Sequence, residues 1–138
     1  MQVERYASGG PFEDVVGYSR VVVARTHSGA TGWTAGTTAL VNGAVQHPRD
    51  AHGQAIVAFH TALFALERAG FSRADVVQTR MYVVDIAGNG AAVGAAHALV
   101  LGEHRPVATM VGVAALIDPE MLVEVEVVAW CPSDEPAA

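Results

Sequence analysis

The stretch ALERAGFSRADVVQTRMYVVDI, residues Ala65–Ile86, carries two hydrophobic periods back to back, and the change between them decides the fold. Leu66 closes a series, Ile56, Phe59, Leu63 and Leu66, that recurs at helical spacing and predicts a helix over 51–69. Gly70 supplies its stop. Over 74–86 the period drops to two. Val77, Thr79, Met81 and Val83 then share one face of a strand, and Gln78, Arg80, Tyr82 and Val84 share the other.

Working outward, residues 1–16 are rich in Gly, Pro and acids and read as a surface lead-in. YSRVVVAR (18–25) is strand-like, HSGATG (27–32) carries turn residues, and WTAGTTALV (33–41) returns as a second strand. In the connector 42–50, Pro48 blocks an earlier helix and Asp50 can cap the next. A second helix is predicted over 91–101, with Val93, Ala96, His97 and Val100 on one side and Gly102 and Pro106 beyond its end. Strands follow at 107–115 and 121–130, joined by LIDPE, and 131–138 reads as a disordered tail. No repeat or linker divides the chain, so 1–138 is expected to form a single domain.

The order ββ–α–β–α–ββ predicts an α+β fold, one sheet with both helices on one face. Such a sheet leaves its other face to water or to a partner. In LVEVEVVAW, Val123, Val125 and Val127 face one way and Glu124 and Glu126 the other. The second face therefore mixes carboxylates with Arg80, Tyr82, Val84 and Val128, a composition suited to a subunit interface with polar pockets. An oligomer is expected.

Composition narrows the function. About half of the 138 residues are hydrophobic (51%) and 16% are charged, which fits a globular chain. No apolar run reaches the roughly 18 residues of a membrane-spanning helix. The N-terminus lacks the basic-then-apolar order of a signal peptide. With a single cysteine, Cys131, a cytoplasmic protein is expected. The net charge of −6, with eight unclustered Lys and Arg, gives no footprint for nucleic acid. Six histidines show no HxH or HxxxH spacing, so no metal site is expected. The glycines of SGATGWTAG follow no phosphate-loop order, and Cys131 has no activating neighbour.

AGTTA (35–39), Gln54 within DAHGQAIVAF, the opening stretch, RPVATMV (105–111) and MLVEVEVVAW (121–130) together resemble the Rid family of reactive-intermediate or imine deaminases, also known as endoribonuclease L-PSP or translation inhibitor proteins. The resemblance runs from Val16 to Trp130. It implies a chorismate-mutase-like fold, a homotrimer, no cofactor, and small-molecule sites in the clefts between subunits.

In the family's deaminases an arginine in a Pro-x-Arg-Ser segment holds the substrate carboxylate. This chain reads Pro106-Val107-Ala108-Thr109, and the Ala108 methyl cannot make the bidentate pair of a guanidinium. The family's pocket serine corresponds to Ala35, and its asparagine has no counterpart at Val93 or Gly94. Tyr18 and Glu124 match, and the resemblance implies that Glu124 places or activates the water that attacks an imine carbon. Ala35, Ala108 and Met110 would make the substrate-binding pocket more apolar than usual. Simpler readings stand beside these: Glu124 and Glu126 can pair with Arg80 or Arg20 across strands, Tyr18 can be an interface aromatic, and Arg105 a surface charge. The functions left are an enamine/imine hydrolase with reduced activity on 2-imino acids, or a small-molecule binder that is non-catalytic or differently catalytic. A ribonuclease is disfavoured by the acidic charge.

Overall fold

The structure is a computed structural model that describes residues 1–134. Its elements run β1 (Gln2–Tyr6), β2 (Val21–Arg25), β3 (Gly29–Thr34), β4 (Leu40–Val41), β5 (Ala44–Val45), α1 (Ala51–Arg68), β6 (Val76–Val84), α2 (Ile86–Leu101), β7 (Val107–Val113) and β8 (Val123–Pro132), with a π-helical turn at Glu13–Gly17. Six strands form one mixed sheet in the order β1-β2-β3-β8-β6-β7. Only the β6–β7 pair is parallel, because α2 is the crossover between them.

Both helices cover one face. Ala55, Ala58, Phe59, Ala62 and Leu66 of α1 join Val93, Ala96 and Leu101 of α2 over Val21, Val23, Met81, Val83, Val123, Val125 and Val127 in a single core. The many alanines let α1 lie close to the sheet, and Ile56 sits only at the core margin. Asp50 caps α1 by accepting from the Gly53 N–H at 3.0 Å. Gly70, at φ +98°, takes the left-handed turn out of the helix. Among the described residues, no helix is long and apolar enough to cross a membrane.

The register defines both faces. Val127–Thr79–Ala108 and Val125–Met81–Met110 are rows across β8, β6 and β7 on the helix side. Glu126–Arg80–Thr109, Glu124–Tyr82–Val111 and Val128–Gln78–Val107 are rows on the open face. Trp33 of β3, 43% exposed, extends the last row.

Several boundaries differ from the sequence reading. The expected lead-in at 1–16 contains β1, which pairs with β2 from Gln2↔Arg25 to Tyr6↔Val21. An edge strand that buries little leaves no hydrophobic signature. The expected turn at 27–32 is mostly β3, and the chain reverses at Thr26–Gly29 instead. Its glycines serve close packing: a Cβ on Gly32 would stand 2.6 Å from the Phe71 ring. The expected second strand ends at Thr34, and Asn42-Gly43, at φ 50° and 81°, turn the small β4–β5 hairpin within what read as strand and connector.

Val77, grouped with Thr79 by alternation, is 44% exposed while Val76 is buried, because a bulge at this point shifts the register. Helix α2 starts five residues early, as Gly88, Asn89 and Gly90 continue the helix despite their low propensity. Cys131 and Pro132, expected in the tail, complete β8 opposite Ala30 and Gly29. Residues 135–138 of that tail lie outside the described residues.

Candidate functional site

A cleft of about 620 Å³ opens where the segment after β1, the segment after β3 and the C-terminal half of α1 converge on the start of β8. Its polar wall is built by Tyr18, Arg20, Gly36, Thr37 and Glu124, and its apolar wall by Phe12, Val16, Leu40, Phe64, Ile117 and Met121.

Three devices shape these walls. Glu13 is buried and accepts hydrogen bonds from the Ser8 hydroxyl and from the N–H groups of Ser8 and Gly10, both at 2.9 Å, which folds the 7–12 segment over the cleft. Burial alone would raise its pKa, but these donors and the charge of Arg20 hold it below the ordinary carboxylate value. Gln54, fully buried on α1, donates to the carbonyls of His47 and Glu120 and accepts from the Leu122 N–H at 2.8 Å. It thereby ties down the loop that carries Ile117 and Met121. Thr37 bridges to Val125 through reciprocal backbone hydrogen bonds of 2.9 Å, which fixes the 35–38 segment beside Glu124.

The polar wall is one connected cluster. The Arg20 guanidinium donates from Nη1 to the Gly36 carbonyl and Thr37 Oγ1, each at 3.0 Å, and from Nη2 to the Tyr18 hydroxyl at 3.2 Å. It also lies 5.5 Å from the centre of the Tyr18 ring. Glu124 packs against Gly36 so tightly that a Cβ at 36 would clash with its carboxylate oxygen. Burial, then the neighbouring Glu126, raise the Glu124 pKa, and Arg20 opposes them. Tyr82, opposite Glu124 on β6, also titrates above its usual range, through its hydrogen bond to Glu126 and burial.

Of the residues singled out from the sequence, Tyr18, Ala35 and Glu124 line this cleft together. Ala108 and Met110 do not. They belong to helix-side rows of β7, and Met110 packs against Gly90 and Gly94 of α2. The β7 residues that share the face of Glu124 are Thr109 and Val111. Arg105 is exposed and lies outside the cleft. Arg20 was weighed in the sequence only as a partner for Glu124 or Glu126. Its place in the site follows from the Gly36 carbonyl and Thr37 hydroxyl, which the fold brings to it from 16 and 17 residues away. Among the described residues, no group of three His, Cys, Asp or Glu is arranged to hold a metal ion.

Residues 11–131 match the family model described as endoribonuclease L-PSP. The chain belongs to that family, the Rid family. An uncharacterized protein of Streptomyces coelicolor is 36% identical over 128 residues, 93% of this chain and 92% of its own length. The crystal structure of a Mycobacterium tuberculosis member of the YjgF/YER057c/UK114 family superposes with a TM-score of 0.80 at 39% identity, over 94% of this chain and all of the other. A Pseudomonas aeruginosa protein of unknown function follows with a TM-score of 0.75 at 28% identity, over 93% and 92% of the two chains. The match covers β2, both helices and β8 as far as Cys131, and with them the cleft lining from Pro11 to Glu124.

Proposed function

We propose that this Rid-family protein binds a small molecule in the cleft and hydrolyses reactive enamine or imine intermediates there, with Glu124 as the proton carrier. The observation that carries this reading is a half-buried carboxyl with a raised pKa in the wall of a ligand-sized cleft. In the proposed reaction the Glu124 carboxylate takes a proton from water as its oxygen adds to the imine carbon. The C=N π pair moves to nitrogen, which takes up a proton from solvent. The C–N bond of the tetrahedral intermediate then breaks, and Glu124 returns its proton to the departing nitrogen. The remaining hydroxyl proton passes to solvent as the carbonyl forms, balancing the one taken up by nitrogen and releasing an oxo compound and ammonia. A raised pKa makes the carboxylate a stronger proton acceptor, which favours this role.

The active unit is proposed to be a homotrimer. The open face carries the exposed Trp33, Val107 and Val111 beside Tyr82 and Glu124, which a neighbouring copy would cover. Any contribution of Ala108 or Met110 to a cleft then comes from another subunit. Absence of an arginine at 108 supports low activity on the smallest 2-imino acids, and it also favours the second reading, a trimer that binds without catalysis. The two are separated by following oxo-acid release from freshly generated imines. A hydrolase exceeds the spontaneous rate and loses the excess in Glu124→Gln, and a binder does neither.

A further inference from the structure

Arg20 is a guanidinium fixed in the cleft wall with part of its donor set unspent. Of its five N–H donors, two go to Gly36 and Thr37 and one to Tyr18. No described residue accepts from Nε, and Nη2 keeps one hydrogen beyond its bond to Tyr18. The direct ion pairs among the described residues are Arg25–Glu4 and His47–Asp50; Arg20 acts on Glu13 and Glu124 only through its charge, and Arg68, which also lines the cleft, is in no direct ion pair. Glu124 is the one acidic residue of the lining, and in a chain of net charge −6 the cleft gathers two arginines. The rest of the lining is largely apolar, and about 620 Å³ suits a ligand well above three carbons.

We propose that Arg20 is the carboxylate anchor of this cleft, and that the ligand is a hydrophobic carboxylate whose apolar body packs on Phe12, Val16, Phe64 and Ile117. The unspent Nε–H and Nη2–H donors pair with the carboxylate oxygens. The bonds to Gly36, Thr37 and Tyr18 hold the fork in orientation before the ligand arrives, which reduces the ordering cost of binding. The anchor thus belongs to the same chain as Glu124 and to the segment of Tyr18, not to β7, where Ala108 stands. This inference rests on the reading of the cleft as a ligand site.

Calorimetric titration of the native assembly with three unreactive ketones tests it. Phenylpyruvate has both carboxylate and ring, phenylacetone lacks the carboxylate, and pyruvate lacks the ring. Phenylpyruvate is expected to bind at least about tenfold tighter than either. Arg20→Gln is expected to bring phenylpyruvate down to the level at which the same variant binds phenylacetone. Arg20→Lys, which keeps charge but not the fork, should retain part of the preference, and Arg105→Gln all of it. Equal binding of phenylpyruvate and phenylacetone, no saturable binding of phenylpyruvate, or a preference that survives Arg20→Gln would overturn the proposal. Should Arg20→Gln fail to fold, Arg20→Lys and Arg68→Gln decide: the acid preference must fall in the first and survive in the second, and the reverse overturns the assignment. The titration is independent of chemistry. Tight phenylpyruvate binding without imine hydrolysis removes only the hydrolase reading, and hydrolysis without carboxylate preference removes only the anchor.

Discussion

Gly36 and Glu124 are in close contact: a β-carbon on Gly36 would clash with the Glu124 carboxylate oxygen and stand 2.9 Å from its Cδ. The cleft therefore depends on a missing side chain as much as on those present. Gly36 lets the carboxyl lie against the backbone of the 35–38 segment, beside the arginine bound to the same residue's carbonyl.

This relationship makes Gly36→Ala a functional rather than a structural lesion. The displaced atoms are the far end of a flexible side chain, so the melting temperature should change little, by the equivalent of less than about 1 kcal/mol. Hydrolytic activity should fall at least tenfold, because Glu124 must swing out of position. Measuring both on one preparation checks the prediction, and a large loss of stability with activity intact would contradict it.

Glu13 should behave in the opposite way. Its buried carboxylate satisfies three donors of the 7–12 segment, so Glu13→Gln is expected to cost about 1–3 kcal/mol near pH 7. Because its folded pKa lies below the ordinary 4.5, this stabilisation is present above that value and is lost as pH falls through the folded pKa. Melting curves of wild type and variant should converge as pH falls below 4.5 and through the lowered folded pKa. A constant gap across that range would show that the charge is not what holds the loop.

How much of this was legible in the sequence depends on how much each element buries. The helix ending at Gly70 and the alternation of β8 were readable because each presents one consistently apolar face. β1 was not, because an edge strand of alternating polar residues looks like a tail. β3 was masked by glycines that resemble turn residues but are there to admit Phe71 and the neighbouring β8 backbone. In the site, Tyr18 and Glu124 could be found from family resemblance. Arg20 could not, since its role follows from a carbonyl and a hydroxyl that only the fold of the 35–38 segment brings to it. The placing of Ala108 and Met110 needed the β6–β7 register, which no local pattern encodes.

The open face predicts association. Light scattering at micromolar concentration should give the mass of three chains, and a charge placed among the exposed apolar residues, Val107→Lys, should lower it. A wild-type monomer would contradict the trimer.

The family's older description as an endoribonuclease predicts RNA binding; the charge of this chain predicts none. Phosphate recognition requires clustered cations, and the eight Lys and Arg are scattered in a chain of net charge −6. Electrophoretic shifts with single-stranded RNA should be absent at low salt. Tight binding that weakens steeply as salt rises would overturn this.

The central claim is that Glu124 carries the proton in the cleft, and its most direct test is the pH profile of imine hydrolysis. The rate of oxo-acid release from freshly generated imines of phenylalanine would be divided by the spontaneous rate at each pH. Because the working form is the carboxylate and its pKa is raised, the acceleration should hold at neutral pH and decline as pH falls, with a midpoint above 4.5. Glu124→Gln should reduce the ratio to one at every pH. An acceleration that persists in Glu124→Gln, or none in the wild type at any pH, would contradict the account.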